Sequence, residues 1–154
     1  MTVLNDNFIK NIGNLGNINP YSSLQVNPAS YDLCLDSKYI DLSTGEEVNW
    51  KELYIKPGEA YLASTIEYLK FPNNVAGVLY LKSSLARLGL DHALAGWIDP
   101  GFEGNLTLEL HSHRPIVLHA GQRIVQVVFY SLNAPSENPY DGKYKGQKGP
   151  TVAK

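Results

Sequence analysis

Apolar positions along the chain fall into two periods. From Asn5 to Ile12 the residues Phe8, Ile9 and Ile12 are spaced as one face of a short helix, with Asn5 or Asp6 available as N-cap and Gly13 as terminator. Beyond that point the apolar stretches are short and punctuated by Pro, Gly and Asn, as in NPAS, STGEE, KPGE, FPNN, DPGFEGN and LHAGQ. Such spacing predicts an all-β sandwich or barrel. In NLTLELHSH, Leu106, Leu108 and Leu110 alternate with Thr107, Glu109 and His111, so one face meets a core and Glu109 shares the other with His111. In RIVQVVFYSL both alternating sets are apolar apart from Gln126, which predicts a central strand covered on both faces. Val75 to Lys82 is a third strand. It runs directly into SSLARLG, where Leu85, Leu88 and Gly89 predict one or two helical turns. This junction gathers backbone N–H groups, two hydroxyls and Arg87, an arrangement that can hold a phosphate.

Composition narrows the class. A chain of 154 residues with 44% hydrophobic content is expected to form one compact domain with a real core. Thirteen Lys plus Arg against 15 Asp plus Glu leave a formal net charge of -2, so no overall field draws it to nucleic acid or to an anionic membrane, and neither is expected as a partner. Charge is unevenly placed. Eight of the acids lie between Asp32 and Glu67, whereas the Gly-rich tail from Gly142 carries four Lys and no acid, so residues from about 135 to 154 are expected to be mobile. The single cysteine, Cys34, excludes an internal disulfide and a multi-cysteine zinc site, and suits a reducing compartment. No apolar run approaches the roughly 18 residues of a membrane span. The start, MTVLNDNFIKN, lacks the layout of a signal peptide, so a cytoplasmic protein is expected.

The familiar catalytic signatures are mostly absent. His111 and His113 form an H-x-H pair one strand period apart, but without an evident third ligand, and solvent-facing histidines are the simpler reading. There is no H-E-x-x-H and no zinc-deaminase H-x-E with P-C-x-x-C, no G-x-S-x-G elbow for Ser83 or Ser84, and neither glycine-rich nucleotide cradle.

What remains is Lys82-Ser-Ser-Leu-Ala-Arg87, then Ala95-Gly-Trp-Ile-Asp-Pro-Gly-Phe102, then Thr107-Leu-Glu109. Read with NPASYDLCLD, FPNNVAGVLYLKSSLARLGL, AGWIDPGFEGNLTLEL, AGQRIVQVVFYSL and the C-terminal APSENPYDGKYKGQKGPT, the chain resembles the dCTP deaminase family of the dUTPase-like superfamily over most of its length. It is closest to the bifunctional branch that takes dCTP to dUMP.

The resemblance implies a distorted β-barrel or jelly-roll subunit in a homotrimer with active sites between neighbouring subunits. It implies a reaction without protein-bound zinc, in which Glu109 activates the water that attacks C4 of cytosine and carries the proton to the departing amine. Partial burial would suit that carboxylate to the task by lifting its pKa. Asp99 corresponds to the Asp beside the deoxyribose that helps place water for phosphate cleavage, although Asp before Pro-Gly is also ordinary turn chemistry. Phe102 corresponds to the floor beneath the sugar, or is simply a core aromatic. Lys82, Ser83, Ser84 and Arg87 match the triphosphate grip, and Tyr140, Lys143 and Gln147 the closing lid. Ala95, Trp97, Thr107 and Gln126 fall within the substrate-binding motifs. Mg²⁺ would be bound through the nucleotide's own phosphates.

Two departures matter. Lys82 and Leu81 replace Arg and Gly of the family's G-R-S-S, so the planar guanidinium fork is lost. Leu94 replaces the Thr of T-A-G, which bears on feedback inhibition by dTTP and on base selectivity. The leading expectation is dCTP deamination coupled to diphosphate release, giving dUMP for dTTP synthesis. The alternatives are a dUTP diphosphatase without deaminase activity, and a nucleotide-binding regulator that has lost turnover.

Overall fold

The computed structural model describes residues 1–92 and 95–154. In chain order it contains β1 (Thr2–Val3), α1 (Asp6–Asn14), β2 (Ile18–Asn19), a 3₁₀ turn (Ser23–Gln25), β3 (Tyr31–Asp41), β4 (Glu47–Asn49), β5 (Glu52–Ile55), β6 (Ala60–Lys70), β7 (Val75–Leu81), α2 (Ser83–Ala86), β8 (Leu90–His92), β9 (Trp97–Ile98), β10 (Glu103–Ser112), β11 (Ile116–His119) and β12 (Arg123–Ser131). The main sheet has the order β8-β10-β6-β3-β12-β7-β9, with β1 added on β12, β2 on β6 and β4 on β3, while β5 and β11 form a separate pair. It curls into a half-barrel. The expected all-β class holds.

Helix α1 forms for the reasons the sequence offers. Asn5 Oδ1 accepts from Phe8 N at 3.2 Å as N-cap, Lys10 pairs with Asp6 at 2.7 Å, and Ile9 and Ile12 are buried. The terminator differs. Gly13 lies inside the helix, where a Cβ would stand 2.3 Å from the Tyr21 ring, and the positive φ of 83° belongs to Gly16. Gly13 is therefore a packing residue: its missing side chain is the space Tyr21 occupies.

Strand β10 follows its alternation, with Leu106, Leu108 and Leu110 buried and Thr107 and Glu109 half-buried on the opposite face. Each buried leucine contributes about 1.5–3 kcal/mol. Strand β12 is central, between β3 and β7, as its apolar density predicts. Its two faces are not equal, however. Ile124, Val125, Val127 and Phe129 are buried, whereas Gln126, Val128 and Tyr130 stay half-exposed beside an exposed Tyr80, because none of the described residues fully covers that face.

Two buried acids need compensation. Asp32, 1% exposed, receives Lys82 Nζ at 2.7 Å, Asn27 Nδ2 at 2.9 Å and Arg123 Nη1 at 3.5 Å. Glu67 accepts from Gln25 Nε2 at 2.6 Å and Cys34 N at 2.9 Å, yet burial still pushes its pKa above the usual carboxylate range. Burial, with the Glu67 charge beside it, also pushes the Cys34 thiol up to about 11, so Cys34 is a poor nucleophile.

Candidate active site

A cavity of 540 Å³ opens where the polar face of β10, the β9 strand and the C-terminal tail meet. Thr107 and Glu109 of β10 line it, with Ala95, Trp97 and Asp99 from the approach to the DPGF turn. Phe102 and, from the tail, Tyr140 and Gln147 complete the part that the sequence anticipates.

The turn is built by its residues. Phe102 N donates to Asp99 O at 3.1 Å, and Gly101 adopts φ 85° at the third position, the requirement of a type II turn after Pro100. A Cβ at Gly101 would also meet Pro139 at 2.6 Å, so this glycine lets the tail approach. Asp99 serves the turn and still presents its carboxylate to the cavity, where Oδ1 accepts from Trp97 Nε1 at 2.8 Å. Phe102 is buried and its ring stands 5.7 Å from that of Tyr140, tilted by 56°. Phe102 packs in the core and also lines the cavity.

Glu109 is the electrostatic centre. Loss of water around its half-buried carboxyl raises its pKa; hydrogen bonding to its own backbone amide and the nearby His92 oppose the rise without cancelling it. Among the described lining residues only Asp99 and Glu109 are acidic, and none is Lys or Arg.

The tail folds back on its own chain. Gln147 bridges Gly104 in parallel and donates through Nε2 to Asn105 O at 2.7 Å, while Thr151 N donates to Thr107 Oγ1 at 3.2 Å. Sequence reasoning missed Asn105, Tyr144 and Thr151. Asn105 sits at the irregularity between Asn105 and Thr107 in the β10–β6 register, where its Nδ2 reaches the carbonyls of Thr65, Ile66 and Glu67 and its Oδ1 accepts from Gly149 N at 3.2 Å. An Asn beside Gly inside a strand pattern was the available signal. Tyr144 N donates to Tyr140 Oη at 3.2 Å, and both Tyr144 and Thr151 line the cavity.

The remaining predicted residues lie elsewhere. Ser83, Ser84 and Arg87 are exposed on α2 and the turn after it, and among the described residues none forms an ion pair with Arg87. Gln126 accepts from Ser30 Oγ at 2.8 Å on the far strand β12. Lys143 donates to Lys154 O and stands 5.2 Å over the Tyr144 ring. Leu94 is outside the described residues. Lys82, expected as part of the phosphate grip, pairs within the chain with the buried Asp32. Lys82→Ala should therefore cost about 3 kcal/mol, the low end for breaking a buried pair, since Arg123 still stands 3.5 Å from the same carboxylate. Urea unfolding at fixed protein concentration measures this, and a loss below about 1 kcal/mol would show that the ammonium is not needed there.

Comparison with known proteins agrees with the motif reading. The family model described as dCTP deaminase-like matches residues 3–132. A relative from Sulfurihydrogenibium sp., named dCTP deaminase, dUMP-forming, is 39% identical over 173 residues, covering 99% of this chain and 96% of its own. The crystal structure of the 2'-deoxycytidine 5'-triphosphate deaminase from Agrobacterium tumefaciens superposes with a TM-score of 0.73 and 26% identity, over 82% of this chain but only 47% of that one. The native EIAV dUTPase shares the fold at a TM-score of 0.55 and 22% identity, over 82% of this chain and 92% of its own.

Proposed function

Because this chain belongs to the dCTP deaminase-like family, we propose that it converts dCTP to dUMP: water replaces the 4-amino group of cytosine and diphosphate leaves the nucleotide. The observation that carries this reading is Glu109, a half-buried carboxylate of raised proton affinity in a cavity walled by Trp97, Phe102 and Tyr140. A carboxylate so placed takes a proton from water as the oxygen bonds to C4, then returns it to the amine as the C4–N bond breaks, releasing ammonia. Thr107 and the Phe102–Tyr140 pair hold base and sugar in place. Asp99, at the mouth of the cavity, orients the second water toward phosphorus.

Asp99 and Glu109 are the acidic residues of the described lining, and Asp99 would offer a hard oxygen to a Mg²⁺ carried mainly by the nucleotide's own phosphate oxygens. A Mg²⁺ carried by the nucleotide would supply charge neutralisation for the departing diphosphate.

A triphosphate needs cations that the described lining lacks, whereas Ser83, Ser84 and Arg87 are exposed and uncommitted outside it. This supports a homotrimer in which one copy supplies the base and sugar pocket and its neighbour the phosphate grip. The tail closes over the bound nucleotide and opens to release product, with Lys143 turning toward the phosphates on closure. Among the described residues no helix is long and apolar enough to cross a membrane. The cytoplasm, where nucleotide pools reside, is the proposed location, and Leu94 is the position at which feedback by dTTP should differ. Incubation of the purified protein with dCTP and Mg²⁺ tests the reading: ammonia and dUMP should appear together, and cleavage of dUTP with dCTP untouched would replace it by a diphosphatase.

A further inference from the structure

The geometry points to a divalent transition-metal site of the zinc type, formed by Asp91, His111 and His113 at the β8–β10 edge and separate from the nucleotide pocket. In the sequence His111 and His113 lack a third ligand. Antiparallel pairing of β8 with β10 supplies it, because the register sets Asp91 opposite His111. Asp91 Oδ2 lies 3.9 Å from His111 Nε2 and 3.7 Å from His113 Nε2, and the two imidazoles stand 5.8 Å apart at 83°. One donor atom from each residue falls within 4.8 Å of the others. These separations are too long for hydrogen bonds, so the three groups gather at one place without bonding to one another.

Two imidazole nitrogens and one carboxylate oxygen are a zinc-type donor set, bound at about 2.0–2.2 Å, which places tetrahedral ligand atoms about 3.4 Å apart. Closing the group takes roughly 1 Å of movement. His113, 72% exposed, can supply it by turning about its side-chain bonds. The fourth position faces solvent and takes a water. Nitrogen donors select against Mg²⁺, so this site does not compete for the ion on the nucleotide's phosphates. His111 lies on the same face of β10 as Glu109, two residues and about 7 Å farther along. A metal here ties β8 to β10 just before the chain leads on to Ala95 and Trp97 of the pocket wall.

Tag-free, full-length protein, treated with EDTA and dialysed, should be titrated with Zn²⁺ by calorimetry and with Co²⁺ by visible absorption. The expected result is one ion per chain at micromolar metal, with cobalt bands in the tetrahedral region. His113→Ala and Asp91→Asn should each weaken zinc binding about tenfold or more. His119→Ala, which alters another exposed histidine, 3.4 Å from Glu52 on the separate β5–β11 pair, should leave it unchanged. All three positions are on the surface, and circular dichroism checks their folding. Failure of the wild-type protein to bind zinc, or binding that survives in the His113→Ala, Asp91→Asn double variant, overturns the site.

Discussion

Glu109→Gln should lower ammonia release from dCTP by about 10²–10⁴-fold, because an amide of nearly the same shape cannot carry the proton between water and amine. Cleavage of dUTP by the same variant should persist largely intact, since that step relies on Asp99 and the phosphate grip. The variant should also fold at least as well as the parent. Burial raises the Glu109 pKa, so the native state disfavours the carboxylate; any stability linked to this group is present at low pH and lost as pH rises through the raised value. At neutral pH a neutral side chain removes that cost. Equal loss of both reactions, with unchanged thermal unfolding, would mean that Glu109 shapes the pocket and does not move a proton. The same shift predicts that deamination fails on the acid side at a pH above the ordinary carboxylate range, as the base becomes protonated.

The second large effect tests the proposed division of the site between neighbouring copies. Arg87→Ala and Glu109→Gln should each be nearly inactive on dCTP when assayed separately. After the two variants are mixed in equal amounts, unfolded together and refolded, activity should return to about one quarter of the wild-type value, because random assembly makes about one boundary in four from two intact halves. No recovery, with trimers confirmed by sedimentation, would place the whole site within one chain. The half-exposed Val128 and Tyr130 and the exposed Tyr80 on one side of the main sheet leave an apolar face available for such assembly.

What the sequence could and could not reveal follows from the range over which each signal acts. The period of Leu106, Leu108 and Leu110 is local, and by itself it puts Glu109 on the polar face of its strand. The DPGF turn is equally local, because Pro100 and Gly101 dictate backbone angles by themselves. Partners across strands were invisible. Asp91 beside His111 and Asp32 beside Lys82 depend on pairings between distant segments, so the H-x-H pair was short of a ligand and Lys82 looked free for phosphate. The apolar character of β12 was read as cover on both faces, but hydrophobicity records only that a residue is to be covered, not whether its own chain does so. Gly13 misled for a related reason: a glycine near a helix end usually marks the exit, and only the position of Tyr21 reveals that it makes room for a ring.

The most direct test of the central claim, that water held by Glu109 attacks the pyrimidine ring, is mass spectrometry of the nucleotide product formed from dCTP and Mg²⁺ in ¹⁸O-labelled water. The expected product is dUMP carrying one heavy oxygen on the uracil base at every turnover, with that base label all but lost in Glu109→Gln. Appearance of dCMP with heavy oxygen only on phosphate or diphosphate, and an unlabelled, still-aminated base, would contradict it.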